Sequence, residues 1–489
     1  MRLGVVLESD FETRVSIVPN SIPKLVKMGF EVFVEDGAGK KSGYPNSDYE
    51  AKGASISNSD EVLGSDLVTS IGVPDFTKMK SGSMLACMAD PFRDMEKTKQ
   101  IIESGITLLS LEVIPRRLSK GQSMDVNSSQ DNLSGYCAAL KAAFNMPKLM
   151  PMMTTAAGTI RPAKFVIQGA AVAGLQAIAT AKRLGAVVYA VDVRLAAKTD
   201  CESLGGRFID VPGWVDAETS SGHANSLFDN PELMEAFDVA LEKVLSDADA
   251  LVTTARIFGR DAPKLFFSDE RNNNLHKIMK EGSVVVDMNL DTGGNTNHSR
   301  VDNDVVKDGV TFYGTPVLCR TVPNTASMLY SNNVTNFVSV LVDEGVLKIN
   351  EDEQVLTGDE GGIGAGFGGI LISNSKIDSD SAGSINSLFC EVVISPDFDI
   401  EALEILKGKK NRIILKLNSY PQKNKLTRTC LNGTLIQTND NITDSKEILT
   451  YPTKIKPDED QIEDLIFASK ISKNTKSNTI VLVLSLIHI

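Results

Sequence analysis

A chain of 489 residues, 42% hydrophobic and 23% charged, has an ordinary globular composition and room for roughly two to four domains. A formal net charge of −13 argues against a general nucleic-acid binder. Six scattered cysteines without a C-x-x-C, and four histidines without a ligand spacing, argue against a disulfide framework or a metal site and for reduced thiols in a cytosolic protein.

The first third alternates strand and helix patterns. "LGVVLE" reads as a buried strand, and "NSIPKLVKMG" as a helix with an Asn or Ser cap, Pro23 in its first turn and Gly29 as its stop. The strands "FEVFVE", "DLVTSIG", "MLACMA" and "ITLLSLE" follow, a spacing that predicts a mainly parallel sheet. "NLSGYCAALKAAFNM", residues 132–146, predicts a long helix into a second unit. That unit carries strands "KFVIQG", "AVVYAVD", "DALVTTA", "GSVVVDM" and "VTFYG". A helix over "NTASMLYSNNVTNFVSVLVDEG" is then expected to pack back onto the first unit, leaving a ligand cleft between the two. The N-terminus has no cleavable signal pattern, and no run reaches the roughly 18 to 20 apolar residues of a membrane helix, so any membrane connection is expected through partner chains.

Two glycine clusters compete as nucleotide loops. Gly364, Gly366 and Gly369 spell G-x-G-x-x-G, but they follow an acidic loop and precede "ILIS", a strand, so no helix N-terminus stands behind them. The loop Gly169, Ala171, Val172, Ala173, Gly174 leaves a strand and opens a helix, with Ala171 where the middle glycine belongs. Asp192 ends the next strand at the ribose-binding distance, followed by Val193 and Arg194, and an acid there favours NAD(H). Ala171 predicts weakened rather than abolished binding, the other reading being a turn that binds nothing.

"SLEVIPRRLSKGQSMDVNSSQDNLSGY", "GLQAIATAKRLGAVVYAVDVR", "LVTTARIFGRDAPKL" and "GSVVVDMNLDTGGNTN" occur in this order. Through them, residues 1–357 resemble the NAD(H)-binding domain of proton-translocating nicotinamide nucleotide transhydrogenase, the soluble part of its alpha subunit, which shares its fold with alanine dehydrogenase. The resemblance implies an Arg-Gln-Asp loop over the nicotinamide, matching Arg117 (with Arg116 as the other register), Gln122 and Asp125, followed by Ser128. It also implies cofactor contacts from Thr254, Ala255, Asp287, Gly294 and Asn295. Arg256 and Phe258 stand where the family carries Leu and Pro. Alanine dehydrogenase would need a lysine and a histidine where this chain has Gly72 and Asp90. The implied function is hydride transfer between NADH and NADP(H) held on a partner domain, with membrane-embedded partners, a homodimer, and a cytoplasmic location peripheral to the inner membrane. The alternatives are a non-catalytic NAD-binding module and a bifunctional chain with AICAR formyltransferase-type activity.

Past residue 350 the character shifts. "GFGGILISNSKID", "FCEVVISPDFDIEALEILKGKKNRIILKL", "RTCLNGTLIQTNDN" and "EDLIFASKISKNTKSNTIVL" resemble the interior of the AICAR transformylase part of the bifunctional purine-biosynthesis enzyme. That family's Lys-His pair lies upstream of the matched region, and residues 364–484 contain no histidine, so an inactive fragment is expected. Asn432 departs from its pattern, while Lys476, Ser477 and Asn478 follow it. "LSLIHI" reads as a sequencing-adapter translation, and the whole as a chimeric gene model.

The expected fold is α/β: two Rossmann-like parallel-sheet domains with a cleft between them, plus a truncated C-terminal α/β fragment. Residues 1–132 with 326–357 form the first domain and 133–325 the NAD(H)-binding one. Residues 358–363 are the junction, 364–484 the fragment and 485–489 an artefactual tail.

Overall fold

The structure is a computed structural model. It describes residues 1–349 apart from 116–118, 196, 214–229, 258, 302, 316 and 344. Beyond them it describes residues 370–387, 390, 392–409, 412–418, 425–430, 433–438, 444–450, 456–473 and 481. The chain divides into two compact units, one formed essentially by residues up to 369 and the other by those after it.

The first unit holds two large sheets. Strands β1 (Arg2–Val5), β2 (Glu31–Glu35), β3 (Ser55–Ser57), β4 (Leu67–Thr69), β5 (Met84–Cys87) and β6 (Thr107–Ser110) form a parallel sheet in the order 3-2-1-4-5-6. An exposed hairpin, β7 (Met153–Thr155) with β8 (Gly158–Ile160), precedes the second sheet. That sheet comprises β9 (Lys164–Gln168), β10 (Val187–Val191), β11 (Arg207–Phe208), β12 (Ala250–Thr253), β13 (Val284–Asp287), β14 (Val305–Lys307) and β15 (Val310–Tyr313). Its order is 11-10-9-12-13-15-14, parallel except for β14. Every residue of β12 and β13 is buried. Such near-continuous apolar runs mark strands covered on both faces, and this is why they read clearly from sequence.

Two helices tie the sheets together. The linker helix, Val126–Asn145, starts six residues before the predicted stretch because Asp125 caps it: its Oδ1 accepts the Ser128 N–H at 2.9 Å. The return helix, Pro323–Val338, begins with proline in its first turn and buries Tyr330, Val334, Phe337 and Val338 in the core of the first sheet. Its buried Ser327 and Ser331 hydroxyls accept the Val15 and Val18 N–H groups at 3.0 Å each, so the loop after β1 depends on residues over 300 positions away. The helix ends at Val338, earlier than its pattern suggested, and a short hairpin, β16 (Val342–Asp343) with β17 (Val346–Leu347), follows. The predicted N-terminal helix is Ile22–Lys27, with Gly29 at φ +94° beyond its end. Its cap differs from expectation, since the Ser21 hydroxyl bonds Ser331 rather than the helix start.

In the second unit, β18 (Ile370–Ile372), β19 (Val392–Ser395) and β20 (Ile413–Lys416) form a parallel sheet, with helices Ser379–Ser387 and Ile400–Lys407 between the strands. An antiparallel hairpin, β21 (Lys425–Cys430) with β22 (Gly433–Thr438), and helix Glu459–Lys473 follow. Ile372, Ile413 and Leu415 on the edge strands are all exposed. The Gly364–Gly369 cluster, Asn432, Lys476, Ser477, Asn478 and the last six residues lie outside the described residues.

Candidate functional site

Both large sheets reverse strand order beside their first strand, and in open α/β sheets a ligand crevice forms at the carboxyl ends there. In the second sheet the reversal lies between β9 and β12, whose last residues, Gln168 and Thr253, are neighbours in register. Gln168 Oε1 and Thr253 Oγ1 are both buried and neither has a protein hydrogen-bond partner. A buried polar atom without a partner costs about 1–3 kcal/mol, and the same condition holds at Ser70 Oγ just past β4 and at Ser110 Oγ at the end of β6.

The loop after β9 is built around glycines that cannot be replaced. Gly169 turns at φ +89°, and a Cβ there would sit 2.6 Å from Thr254 Oγ1. The Thr254 hydroxyl lies 3.0 Å from both the Gln168 and Gly169 carbonyls, binding the two strand ends together. A Cβ on Gly174 would lie 1.7 Å from the Gly169 carbonyl oxygen. On the far side, a Cβ on Gly135 of the linker helix would lie 2.0 Å from the Ala173 carbonyl oxygen. The helix Val172–Arg183 therefore starts wedged between strand end and linker helix, with its free N–H groups facing the crevice. Ala171 is its N-cap at φ −91°, ψ −164°, an ordinary extended conformation, and its methyl group is exposed. No backbone strain demands glycine there; only closeness of approach does. Ala173 is buried, and Val172 and Val193 are half-buried beside the loop.

Asp192, buried, is tied to the loop: its Oδ2 accepts the Ala170 N–H at 2.7 Å. Arg194 pairs with it through both backbone and side chain. Asp287 and Asn295 work inward. Asp287, fully buried, accepts N–H groups from Asn289, Asn295 and Thr296 at 3.2, 3.2 and 2.9 Å. The Asn295 amide donates to the Ala255 and Pro263 carbonyls at 2.8 and 2.6 Å and accepts from Asn289. Gly294, at φ +71°, completes this turn. These residues brace the Gly293–Gly294 rim of the crevice, with their side-chain capacity spent inside the protein.

Of the Arg-Gln-Asp set, Arg117 lies outside the described residues. Gln122 is exposed at the end of the short helix Ser119–Gln122. Asp125 is buried and receives both the N–H and the hydroxyl of Ser128. Ten residues of linker helix separate Asp125 from Gly135, about 15 Å along its axis. One rigid rod thus carries the Asp125 end at a set distance from the glycine loop.

Loops of the first domain touch the second. Arg93, in the loop after β5, donates to the Asp291 carbonyl at 2.8 Å and to Asp261 at 3.3 Å, and Arg256 pairs with the Asp291 carboxylate at 2.9 Å. Gly259 packs against Phe92. The first sheet's own switch point is occupied by its side chains. Glu8 accepts the Ile71 N–H at 2.5 Å and the Gly72 N–H at 3.5 Å, and burial pushes its carboxyl up to about 7. Arg14 is held in two-pronged fashion by Glu12 at 2.8 Å and by Gln130 at 2.9 Å. Burial alone would raise Glu12, but the Arg14 hydrogen bonds and the Arg14 and Arg320 charges bring it down to about 2.

Sequence reasoning placed Thr253 with Thr254 and Ala255 at a strand end on the crevice edge, but missed Gln168, Gly135 and Arg93 as site-forming residues. Gly135 had a signal, a glycine inside a strong helix pattern, which implies close packing. The others had none, because partnerlessness and cleft-spanning contacts exist only in three dimensions. A cavity of about 810 Å³, lined by Lys164, Tyr189, Phe208, Val239 and Lys243 among others, lies under helix Pro231–Leu245, and its lining shares no residue with the glycine loop.

The paired sheets, the glycine loop on a helix N-terminus and the acid after the next strand define a dinucleotide-binding α/β architecture. Residues 4–134 and 138–363 match the family models described as the N- and C-terminal domains of alanine dehydrogenase/PNT. The chain belongs to the alanine dehydrogenase/PNT family. It is 38% identical over 360 residues to an NAD(P) transhydrogenase alpha-subunit polypeptide of Rhodospirillum rubrum, covering 70% of this chain and 91% of that one. A solved structure of transhydrogenase from Sinorhizobium meliloti superposes with a TM-score of 0.65 at 35% identity, over 73% of this chain and 97% of that one. L-alanine dehydrogenase shares the fold, with a TM-score of 0.59 at 23% identity over 74% and 93% of the two chains. Residues 358–487 match a second family model, the AICARFT/IMPCHase bienzyme. The bifunctional purine biosynthesis protein PurH of Bacteroides thetaiotaomicron is 48% identical over 116 residues, 24% of this chain and 23% of that one. The chain thus spans about a quarter of that relative's length.

Proposed function

We propose that the first unit is the NAD(H)-binding component of a proton-translocating NAD(P) transhydrogenase. The observation that carries this reading is the glycine cradle of Gly169 and Gly174 at a helix N-terminus, on the edge where Asp192 follows the next strand. NAD(H) held there supplies a transferable hydride at its nicotinamide ring. Gly169, Ala171, Val172, Ala173 and Gly174 form the pyrophosphate cradle, and Asp192, Val193 and Arg194 border the adenosine ribose. Thr254, Ala255, Asp287, Gly294 and Asn295 shape the rim. Arg117, Gln122, Asp125 and Ser128 form the loop that orients the nicotinamide, the Asp125 end being carried by the rigid linker helix.

The acceptor, NADP(H), belongs to a separate nucleotide-binding partner, and a membrane-embedded partner couples the transfer to proton movement, which makes the location peripheral to the inner membrane on the cytoplasmic side. Among the described residues no helix is long and apolar enough to cross a membrane. A homodimer is supported by the hairpin β7–β8, in which all strand residues are exposed, and by Met152 and Phe144, 66% and 90% exposed nearby. The second unit is an inactive fragment: residues 364–484 lack histidine altogether. The two family matches overlap over residues 358–363, as a chimeric gene model would have it. Long-read sequencing across the codons for residues 350–370 tests that origin, and an uninterrupted native junction rejects it.

The functional test is titration of the full chain with NADH, followed by mixing with the NADP(H)-binding domain of a transhydrogenase. Hydride exchange supports the reading, binding without exchange supports a non-catalytic module, and no binding rejects both. Asp125→Asn is expected to slow exchange more than it weakens NADH binding, and equal loss of both counts against an orienting role.

A further inference from the structure

Asp192 is the acid that should receive ribose hydroxyls, yet it has no acceptor capacity left. A carboxylate offers about four lone-pair sites. Its Oδ1 accepts the Arg194 N–H at 2.8 Å and the Arg194 Nε–H at 3.0 Å. Its Oδ2 accepts the Ala170 N–H at 2.7 Å and the Arg194 Nη2–H at 3.0 Å. The two backbone donors belong to the loop and strand end and stay. The two guanidinium donors sit on a side chain that is 45% exposed, attached to a carboxylate side chain only 6% exposed. Of the four donors, only the guanidinium can leave without dismantling the loop.

We propose that Arg194 is a selectivity gate for the nucleotide: its guanidinium closes Asp192 against the ribose diol of NAD(H) and swings outward when that sugar binds. The inference rests on the NAD(H) reading above. A ribose diol needs the lone pairs that Arg194 Nε and Nη2 occupy, so each binding event exchanges two charge-assisted hydrogen bonds for two from hydroxyls. Part of the binding free energy is lost in that exchange. The pair also changes what the site rejects. An acid alone repels a ribose 2′-phosphate, whereas an acid neutralised by an adjacent arginine repels it less, and the released guanidinium is the group that pairs with phosphate. Arg194 therefore weakens NADH and tolerates NADPH, narrowing the margin that Asp192 creates.

The test is a titration of the full chain with NADH and with NADPH, in the wild type and in Arg194→Ala, Arg194→Met and Arg194→Lys. Opening Asp192 is expected to tighten NADH by about three- to tenfold and to weaken NADPH by at least about tenfold, the scale of one charge-assisted pair. Arg194→Met keeps the alkyl stem should the alanine variant misfold, and Arg194→Lys, lacking the flat two-pronged fork, falls between. Opposite movement of the two nucleotides is what a merely structural lesion cannot produce. NADH binding by the wild type, with arginine removal leaving it unchanged or weaker, overturns the gate alone. Failure of every form to bind NADH overturns the cofactor reading and the gate with it.

Discussion

The two sheets of the first unit share strand order but differ at the edge where that order offers a ligand a place. Beside β9 and β12 the edge carries glycines at 169 and 174, a helix N-terminus and two buried polar atoms lacking protein partners. Beside β1 and β4, the buried Ser70 Oγ also lacks a partner, but Glu8 of the chain itself reaches across the switch point to the Ile71 and Gly72 N–H groups, and Arg14 is held by Glu12, Gln130 and Cys319. Topology supplies the crevice, and the residues lining it decide whether anything is left for a ligand to satisfy. By the family resemblance, Gly72 and Asp90 stand where an amino-acid dehydrogenase would carry its lysine and histidine. On the proposed function the hydride chemistry belongs to the second edge, to which Arg93 of the first domain reaches across.

Substituting one glycine on each edge breaks the comparison most directly. Gly174→Val forces a side chain into the Gly169 carbonyl, where even a Cβ would sit 1.7 Å away. NADH affinity should fall at least about hundredfold, with a loss of stability of several kcal/mol, about the range for overpacking a close backbone contact. Gly72→Val meets open space, with nothing within 4 Å of a Cβ, so its NADH affinity and melting temperature should match the wild type. Comparable NADH loss in both, measured by fluorescence titration, would put the nucleotide at the wrong edge.

The pH dependence of stability separates the edges next. Glu8 titrates at about 7 in the folded protein against 4.5 as the reference, because burial disfavours its charge. The folded state then binds more protons than the unfolded one between these values. The stability this confers is fully present below about pH 4.5 and is lost as pH rises through 7. Glu8→Gln should remove that loss, raising stability at pH 8 relative to wild type by up to about 3 kcal/mol, with little change at pH 4.5. Glu12, at about 2, acts oppositely: its contribution is present above 4.5 and lost as pH falls through 2. Thermal melts of the Glu8→Gln variant at pH 5 and pH 8 check the sign, and a pH-independent difference would refute it.

The clasp between the edges should be weak. Arg93 reaches one backbone carbonyl and an Asp261 carboxylate that is 84% exposed, and exposed pairs are typically worth about 0–1 kcal/mol. Arg93→Ala should leave the melting temperature nearly unchanged and speed NADH release about two- to fivefold, with the difference shrinking in high salt. An unchanged release rate in stopped-flow displacement would mean the clasp plays no part in closing the cleft.

What could be read from sequence follows from where the physics is local. Strands such as "VVVD" and "ALVT" are buried on both faces, so composition alone marks them, and the strand-to-helix turn at Gly169 is legible because its glycines act on neighbours in the chain. The six missing residues of the linker helix reflect a polar first turn, "VNSSQD", whose helix signal is the Asp125 cap rather than hydrophobic periodicity. The family resemblance implied cofactor contacts from Asp287 and Asn295, but their side chains turn inward, because whether a polar group serves a ligand or a neighbouring turn depends on partners up to 40 residues away. The occupation of the first switch point by Glu8 was illegible for the same reason, since Glu8 meets Ile71 only after β1 and β4 pair.

The smallest expected effect concerns the one residue on the open edge that breaks the glycine pattern. Ala171 sits at φ −91°, ψ −164° with its methyl group exposed, so alanine costs nothing in backbone strain. As an N-cap, however, alanine offers no side-chain acceptor, and glycine is the better cap by a fraction of a kcal/mol. Glycine also lets a pyrophosphate approach the free N–H groups of Val172 and Ala173 more closely, while adding entropy to the unfolded chain that offsets the cap gain. Ala171→Gly should therefore leave the melting temperature within about 1–2 °C and tighten NADH about two- to fivefold, under 1 kcal/mol. A gain of a hundredfold would mean the methyl group had been holding the crevice nearly closed. No gain would mean the cofactor keeps its distance at this point and relies on the unsatisfied Gln168 and Thr253 instead.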